Sequence, residues 1–557
     1  MALIPGFESL EKLKKSYDWF DLKTKDFSDR ENSKNYGGMP LFYDASEKKV
    51  YIDSGDTHTL VYGATGSLKT RSVVSPAIRI LGYAGESMVI NDPKGELFNR
   101  HAGDLEKQGY NIIEINLRDP GCGNAWNPLC IPYSFYVKGD YDNAAGFLHD
   151  IATNVAALDR SLDDPFWDDA SADLLYGLIL LTFKYAKDHD APINAVNIGN
   201  ILTLRRILFS GAEQAKDTVL WKYASEDELI SASLSGSVYA PKDTMNSILS
   251  VFDRKLRMFS IRPTLLDMLS NNDFDIADIG RKKSAVFIIT PDEKTSYHSL
   301  VSMFVKESYE YLIYTASGLE ENKVKNRINY ILDEFSSLPQ IADMPAMISA
   351  ARSRDIRFLI VCQSKAALRQ KYGENAETIF SNCTNWLFFT GRELELLREL
   401  SELCGMRKNN TPNISVYDLQ HFSKEKREAL LLCGRFKPAK VNTLDIDRFG
   451  DKEYTVKPHL KPVRLERMRL SFELKPEIRE KYPMEISERF FGPNGIFNKD
   501  IKPPTLQEKE PEKQPEKKRE KKTNFDPLED FSFTGNDLNA LIKAIDEGIA
   551  ELGKEEK

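Results

Sequence analysis

A chain of 557 residues is too long for one hydrophobic core, so we expect two or three domains. Its 41% hydrophobic and 29% charged residues are typical of a soluble globular protein. The formal net charge of −8 excludes a protein that coats nucleic acid with its whole surface, so a DNA or RNA partner would have to meet a local basic surface.

The first predicted elements lead into a glycine-rich loop. Residues 1–58 are polar and mixed, and an alternating pattern at residues 49–53 predicts a short strand. An apolar run then breaks into a loop that matches the phosphate-binding pattern G-x-x-x-x-G-K-[ST], except that the second glycine is a leucine. The loop consists of Gly63, Ala64, Thr65, Gly66, Ser67, Leu68, Lys69 and Thr70.

The pattern after the loop is that of an α/β domain. Residues 70–81 have helical spacing, and residues 86–90 and 110–116 are predicted strands. The first of these strands ends in Asn-Asp-Pro-Lys-Gly-Glu-Leu at residues 91–97. This turn places Asp92 at the carboxyl edge of a sheet, where α/β proteins bind ligands.

Helical periodicity dominates from about residue 136 to residue 272. Helices are predicted at residues 143–158, 167–185, 196–207 and 242–259. Strands then resume at residues 283–290, 328–333, 356–362, 385–389 and 429–433. We therefore predict an α/β fold in which a mostly parallel, helix-covered sheet is interrupted by an all-α domain. The predicted domains are residues 1–136 and 273–490 for the sheet domain, residues 137–272 for the inserted all-α domain, and residues 491–557 for a tail.

The predicted tail has two parts. Residues 502–522 are almost wholly Lys, Glu, Pro and Gln, which predicts a disordered linker. Apolar residues from Leu538 to Leu552 then line one face of an amphipathic helix. This helix is either a docking peptide, an intramolecular flap or a terminal helix that packs on its own domain.

Cysteines and apolar runs give no sign of a disulfide framework or a membrane span. The six cysteines form no C-x-x-C pair, which favours a reducing compartment and makes a structural metal site unlikely. The longest apolar run, at residues 174–181, is shorter than the ~20 residues of a transmembrane helix. No signal peptide is predicted.

Two further strands are predicted to end in chemically useful side chains. Asp333 and Glu334 follow an apolar strand, as phosphoryl transfer requires: the first acid holds Mg²⁺ together with Thr70, and the second orients and deprotonates the attacking water. Gln363 ends the strand after that and is placed to bond the γ-phosphate. An arginine in residues 352–357 is either a charge stabiliser for a neighbouring subunit's nucleotide or a solvated, salt-bridged cation.

These motifs together resemble the VirD4/TraG family of type IV secretion coupling proteins, the ring ATPases of bacterial conjugation. The resemblance covers about residues 40–460, and its most specific piece is the sequence at residues 91–97. The other matching motifs lie at residues 63–70, 126–129, 164–167, 332–335, 363–364 and 434–438.

The resemblance implies a RecA-like P-loop NTPase domain, ATP and Mg²⁺ as ligands, and Arg352 as the catalytic arginine. It also implies a homo-hexamer with nucleotide between subunits and a DNA-lined channel. Its partners would be a relaxase bound to single-stranded DNA, other relaxosome proteins, and a secretion channel or membrane anchor protein. The inserted all-α domain would read the cargo.

Two departures from the family pattern leave alternatives open. No amino-terminal transmembrane helix is predicted, so the chain is either a soluble branch of the family held at the membrane by a partner or a form from which such helices have been trimmed. The expected location is the cytoplasm or the inner face of the bacterial cell membrane. Leu68 adds a bulky side chain beside Lys69, which predicts weakened ATP affinity and slow or absent hydrolysis. The sequence therefore favours a coupling-protein ATPase, with a non-hydrolysing adaptor and a double-stranded DNA translocase as alternatives.

Overall fold

The computed structural model describes residues 6–28, 36–156, 165–210, 214–449 and 454–481. The predicted linker and amphipathic tail helix lie outside these residues. No helix within the described ranges is long and apolar enough to cross a membrane.

Two sheets form in the part of the chain that the structure describes. Their strands, numbered in chain order, are β1 (Asp18–Asp21), β2 (Met39–Asp44), β3 (Lys49–Asp53), β4 (His58–Tyr62), β5 (Ser87–Asp92), β6 (Asn111–Asn116), β7 (Ser284–Ile289), β8 (Ile328–Leu332), β9 (Ile356–Cys362), β10 (Cys383–Phe388), β11 (Glu428–Cys433) and β12 (Ala439–Asn442). The larger sheet has nine strands in the order β12-β11-β10-β4-β9-β8-β5-β7-β6, and β1, β3 and β2 form a small antiparallel sheet.

The centre of the large sheet is parallel and buried. Strands β10, β4, β9, β8, β5, β7 and β6 run parallel, whereas β11 and β12 pair antiparallel at one edge. Tyr62 pairs with Cys362 and Leu332 pairs with Ile360, so β4, β9 and β8 end side by side. The continuous apolar runs of the sequence follow from this position, because both faces of a parallel sheet are covered.

Every element that the structure describes between β6 and β7 is helical. The helices of this region are Cys130–Lys138, Tyr141–Ala156, Phe166–Asp188, Ile198–Phe209, Val219–Ala224, Glu228–Val238, Lys242–Lys255, Arg257–Ser260, Pro263–Met268 and Asp278–Arg281, with short 3-10 turns at Ile193–Ala195 and Ala215–Asp217. Side chains cap several of them: Asn197, Thr218 and Asp227 each accept a hydrogen bond from a first-turn N–H group.

Most of the remaining helices cover the sheet, and the last one lies in the segment that packs on the helical region. They are Leu10–Ser16, Ser75–Ala84, Glu96–Lys107, His298–Ala316, Met344–Ala350, Lys365–Tyr372, Asn375–Asn382, Leu394–Leu403, Val416–Gln420 and Pro476–Arg479, with short 3-10 turns at Thr295–Tyr297, Glu320–Asn322, Phe335–Ser337, Ala351–Arg354 and Ile446–Phe449. One buried apolar cluster continues from one face of the sheet into the helical region. The predicted α/β fold with a mostly parallel sheet is confirmed, and the domain boundaries stay predictions.

Three local details differ from the predicted elements. The helix predicted at residues 70–81 begins as a π-helical turn, Thr70–Val74, before the regular helix Ser75–Ala84. The turn is wide because Ser75 donates to the carbonyl of Thr70, and Pro76 has no N–H group to donate. The single helix predicted at residues 242–259 is divided at Leu256. The sequence patterns did not predict β12, nor β1 and β2 of the small sheet.

Candidate functional site

The glycine-rich loop lies between β4 and the π-helical turn, at the carboxyl edge of the large sheet. Its first residues are tied to the neighbouring strands: Gly63 N–H donates to the Cys362 carbonyl at 3.3 Å, and Ala64 N–H donates to the Thr390 carbonyl at 2.8 Å. A side chain at Gly63 would collide with the Ser67 hydroxyl, so the loop closes this tightly only with glycine there.

Leu68 adopts a backbone conformation that normally belongs to glycine. Its φ is +68°, close to the +75° of Gly66. An L residue in this region costs about 1–2 kcal/mol. The half-buried Leu68 side chain lines a small cavity of about 90 Å³ whose wall also includes Phe389, Phe422 and Arg427. The leucine therefore occupies the same backbone conformation that a glycine could adopt without strain.

Lys69 is buried and bound to its own loop. Its ammonium donates to the carbonyls of Gly63 at 2.6 Å and Ala64 at 3.1 Å. Burial lowers the pKa of Lys69, while the nearby carboxylate of Asp333 acts in the opposite direction. The loop therefore already orients the Lys69 ammonium, which could donate to a phosphate bound there in place of these carbonyls.

The predicted acid pair lies beside the loop at the end of β8. The buried Asp333 accepts a hydrogen bond on Oδ2 from the Thr70 hydroxyl at 2.8 Å, and its main-chain carbonyl accepts one from Asn91 Nδ2 at 2.6 Å. Burial raises the pKa of Asp333. Glu334 follows with a positive φ of +52°, a strained conformation that turns the chain away from the strand direction.

Gln363 joins the same group of residues. It follows β9, which lies between β4 and β8, and its Oε1 accepts a hydrogen bond from the Thr65 hydroxyl at 3.0 Å. The side chain is exposed at the carboxyl edge of the sheet. The loop, the acid pair and the glutamine therefore converge within one chain.

The donors gathered here fit a nucleotide with Mg²⁺. The Thr70 hydroxyl and the Asp333 carboxylate offer hard oxygen ligands 2.8 Å apart, which is the donor type that Mg²⁺ prefers. The Ser67 hydroxyl is buried in the loop and has no hydrogen-bond partner among the described residues. An unsatisfied donor in a loop of this shape is what a phosphate oxygen would complete.

Two residues of the motif at residues 91–97 support the site, although neither was assigned a role in nucleotide binding. Asn91 holds the backbone of Asp333 by a hydrogen bond to its main-chain carbonyl. Asp92 accepts a hydrogen bond from Phe98 N–H at 2.8 Å and so fixes the start of the helix Glu96–Lys107. Burial raises the pKa of Asp92 to about 6.

Arg352 lies elsewhere in this chain. Arg352 precedes β9, whereas Gln363 follows that strand, and the seven residues of β9 place its two ends roughly 20 Å apart. Arg352 is half exposed, pairs with Asp56 at 3.4 Å and lines a cavity of about 1070 Å³ at the amino edge of the sheet. The structure therefore does not bring Arg352 to the chain's own loop.

Comparison with known proteins places these features in a family. The family model described as "Type IV secretory system Conjugative DNA transfer" matches residues 13–432. A conjugal transfer protein TraG of Escherichia coli is 27% identical over 371 residues, covering 63% of this chain and 55% of that protein. The type IV secretion system-coupling protein VirD4 of Bartonella quintana is 22% identical over 379 residues, covering 64% and 54%. The chain thus spans about half the length of these relatives.

Solved structures of the coupling protein TrwB have the same fold. The unbound form of TrwBdeltaN70 is 18% identical, with a TM-score of 0.53 over 82% of this chain and 94% of that one. TrwB in complex with ADP and Mg²⁺ is 17% identical, with a TM-score of 0.54 over 81% and 95%.

Proposed function

The chain belongs to the type IV secretory system conjugative DNA transfer family, and from this premise we propose that it is a coupling-protein ATPase. It would bind a relaxase–DNA cargo and drive or gate transfer of the DNA into a type IV secretion channel. The relatives named TraG and VirD4 support this role, and the TrwB complex with ADP and Mg²⁺ supports ATP and Mg²⁺ as ligands.

Each residue of the site has a role that its position supports. Lys69 would contact the β- and γ-phosphates, and the N–H groups of residues 63–70 would surround them. Thr70 and Asp333 would hold Mg²⁺, which neutralises charge on the phosphates. Glu334 would accept a proton from the attacking water, and Gln363 would contact the γ-phosphate and transmit its loss through Thr65.

The position of Arg352 favours an oligomer. Because Arg352 lies at the amino edge of the sheet and the loop at the carboxyl edge, it would stabilise transition-state charge only on a nucleotide held by a second copy. A head-to-tail contact of this kind generates a ring when the rotation closes. We propose a homo-hexamer, located in the cytoplasm or at the inner face of the bacterial cell membrane through an anchor protein.

The helical region would supply cargo recognition. We assign this role to the predicted domain at residues 137–272, which includes most of the helices described between β6 and β7. Its proposed partners are the relaxase bound to single-stranded DNA and other relaxosome proteins.

The single observation that carries this proposal is the hydrogen bond between Thr70 and Asp333, because it joins the phosphate loop to the acid pair. ATP hydrolysis by the full chain is the test, with Glu334→Gln as the inactivating variant and Glu374→Gln, an exposed carboxylate outside the site, as the matched control. We expect Glu334→Gln to abolish turnover and Glu374→Gln to leave it unchanged. Turnover that survives this change would overturn the assignment of Glu334.

The bulk of the Leu68 side chain beside Lys69 favours a second candidate, a non-hydrolysing adaptor that recruits relaxase or DNA. The adaptor proposal expects Leu68→Gly to bind ATP more tightly than the native chain. Titration of both chains with a fluorescent ATP analogue compares them directly. If the native chain and Leu68→Gly bind ATP with equal affinity, the adaptor proposal is wrong.

A further inference from the structure

A second candidate binding site lies in the helical region, away from the nucleotide loop. It is a cleft of about 610 Å³ between the helix Ile198–Phe209 and an extended segment that we call the strap, residues 454–481. We call it the arginine cleft, because four of its lining residues are arginines: Arg205, Arg206, Arg467 and Arg469.

The strap is held in register on the helical region by two asparagines. Asn197 and Asn200 donate to the carbonyl of Met468 at 3.1 and 2.9 Å, and Leu470 N–H donates to Asn200 Oδ1 at 3.0 Å. Side chains two residues apart on an extended segment point to the same side. The bonds at Met468 therefore present the residues before and after it, Arg467 and Arg469, together.

Arg467 is fitted into the wall of the cleft. It packs on Gly199 so closely that a Cβ atom there would lie 3.0 Å from Arg467 Cδ. Its guanidinium lies 3.6 Å from Asp267, too far for a hydrogen bond, and its Nη1 is buried with no hydrogen-bond partner among the described residues. Arg467 thus holds a buried N–H donor that the described residues leave unsatisfied.

The other arginines add to an excess of positive charge. Arg205 bonds to Asp253 at 2.6 Å and to Ser210 at 2.9 Å, yet its buried Nε has no hydrogen-bond partner in the described part of the chain. Arg206 and Arg469 are exposed and form no ion pair within the described ranges. Asp253 is the one carboxylate among the described residues of the lining, and Asp267 lies 3.6 Å from Arg467, so the charges of Arg206 and Arg469 remain unbalanced.

The lining also limits which anion fits. Guanidinium groups present planar forks of N–H donors that match phosphate oxygens, and the hydroxyl of Ser210, which accepts a hydrogen bond from Arg205, adds a further donor. None of the described residues that line the cleft is aromatic, so the lining offers no platform on which a base could stack.

We propose that the arginine cleft is a phosphate-binding site. It goes beyond the proposed ATPase, because it uses none of the residues of the nucleotide loop. Two ligands carry the required chemistry, the phosphodiester backbone of a single nucleic-acid strand and a small polyphosphate. A strand would be bound without preference for base sequence.

The test uses the full chain with Lys69→Ala, so that the nucleotide loop does not contribute a phosphate site. A fluorescein-labelled thymidine oligonucleotide is titrated by anisotropy at several salt concentrations, and inorganic pyrophosphate is titrated by calorimetry. The cleft variant is Arg206→Gln/Arg469→Gln, because both side chains are exposed and their loss leaves the packing intact. The matched control is Arg254→Gln/Arg257→Gln, which removes the same charge from exposed arginines outside the cleft.

We expect the cleft variant to weaken at least one ligand by about tenfold, and the control to weaken neither. For the oligonucleotide, the salt dependence of log K should become shallower by about 0.7 for each phosphate that an arginine no longer neutralises. Loss of oligonucleotide binding identifies a strand as the ligand, and loss of pyrophosphate binding alone identifies a small polyphosphate. Unchanged affinity in both arms, or equal weakening by the control, would overturn the proposal, and neither result depends on ATP hydrolysis.

Discussion

Substitutions at Leu68 should reverse the usual stability order of alanine and glycine. The strain of its positive φ is about 1–2 kcal/mol. Leu68→Gly removes this strain but gives up about 1 kcal/mol from the half-buried apolar side chain and about 0.5–1 kcal/mol through glycine's freedom in the unfolded chain. These effects nearly cancel, so the unfolding free energy stays close to the native value. Leu68→Ala keeps the strain and removes most of the apolar side chain, so we expect it to be about 1 kcal/mol less stable.

Urea unfolding of the full chain measures this order. Tryptophan fluorescence is a suitable reporter, because one of the five tryptophans, Trp386, lies on β10, which pairs with β4 next to the loop. Ala366→Gly, at an exposed position in the helix Lys365–Tyr372, is the control and should cost about 1 kcal/mol. If Leu68→Ala proves more stable than Leu68→Gly by a similar amount, the left-handed backbone assigned to Leu68 is wrong.

Three further changes probe the surroundings of the site. The folded state raises the pKa of Asp92 to about 6, so the stability that comes from its protonation is lost as the pH rises through 6, by at most about 3 kcal/mol. Between about pH 4 and pH 7, the unfolding free energy measured in urea should therefore fall less for Asp92→Asn than for the native chain. Arg357→Leu removes the nearest ion partner of the buried Glu86, which Arg357 contacts at 2.5 Å, and leaves Arg327 at 3.9 Å; we expect a loss of about 3–5 kcal/mol in urea unfolding, partly restored by adding Glu86→Gln. Gly103→Ala places a methyl group against the Thr455 carbonyl, so limited proteolysis should cut the strap faster while the circular dichroism spectrum stays native.

The convergence of the site could be predicted because it depends on strand ends. Gly63, Asp333 and Gln363 each follow an apolar strand, and parallel strands end at one edge of a sheet. The sequence placed β9 beside β8, and the structure adds that it also pairs with β4, which brings Gln363 to Thr65. That second pairing depends on the global strand order, which no local pattern encodes.

The strap and the arginine cleft could not be predicted, for a different reason. Residues 454–481 form almost no regular structure. Hydrophobic periodicity predicts only helices and strands, so it gives no signal for a segment of this kind. Their contacts run to side chains hundreds of residues earlier, as when His459 bonds to Glu114 and Tyr185 donates to the Glu473 carbonyl. A segment held by distant polar groups gives no signal in its own sequence.

The choice between an active ATPase and a non-hydrolysing adaptor depends on how Leu68 changes the free energy of the loop, rather than on the backbone conformation of the loop. Leu68 adopts the positive φ that glycine would adopt, and Thr70, two residues later, still bonds to Asp333. The leucine therefore does not displace the donors proposed to hold Mg²⁺, and its cost is backbone strain together with the bulk of its side chain. Strain that is equal in the free and nucleotide-bound chain changes stability but leaves affinity unchanged, because affinity depends only on the difference between the two states. An increase in ATP affinity on Leu68→Gly would therefore show that nucleotide binding adds strain or steric conflict at this residue.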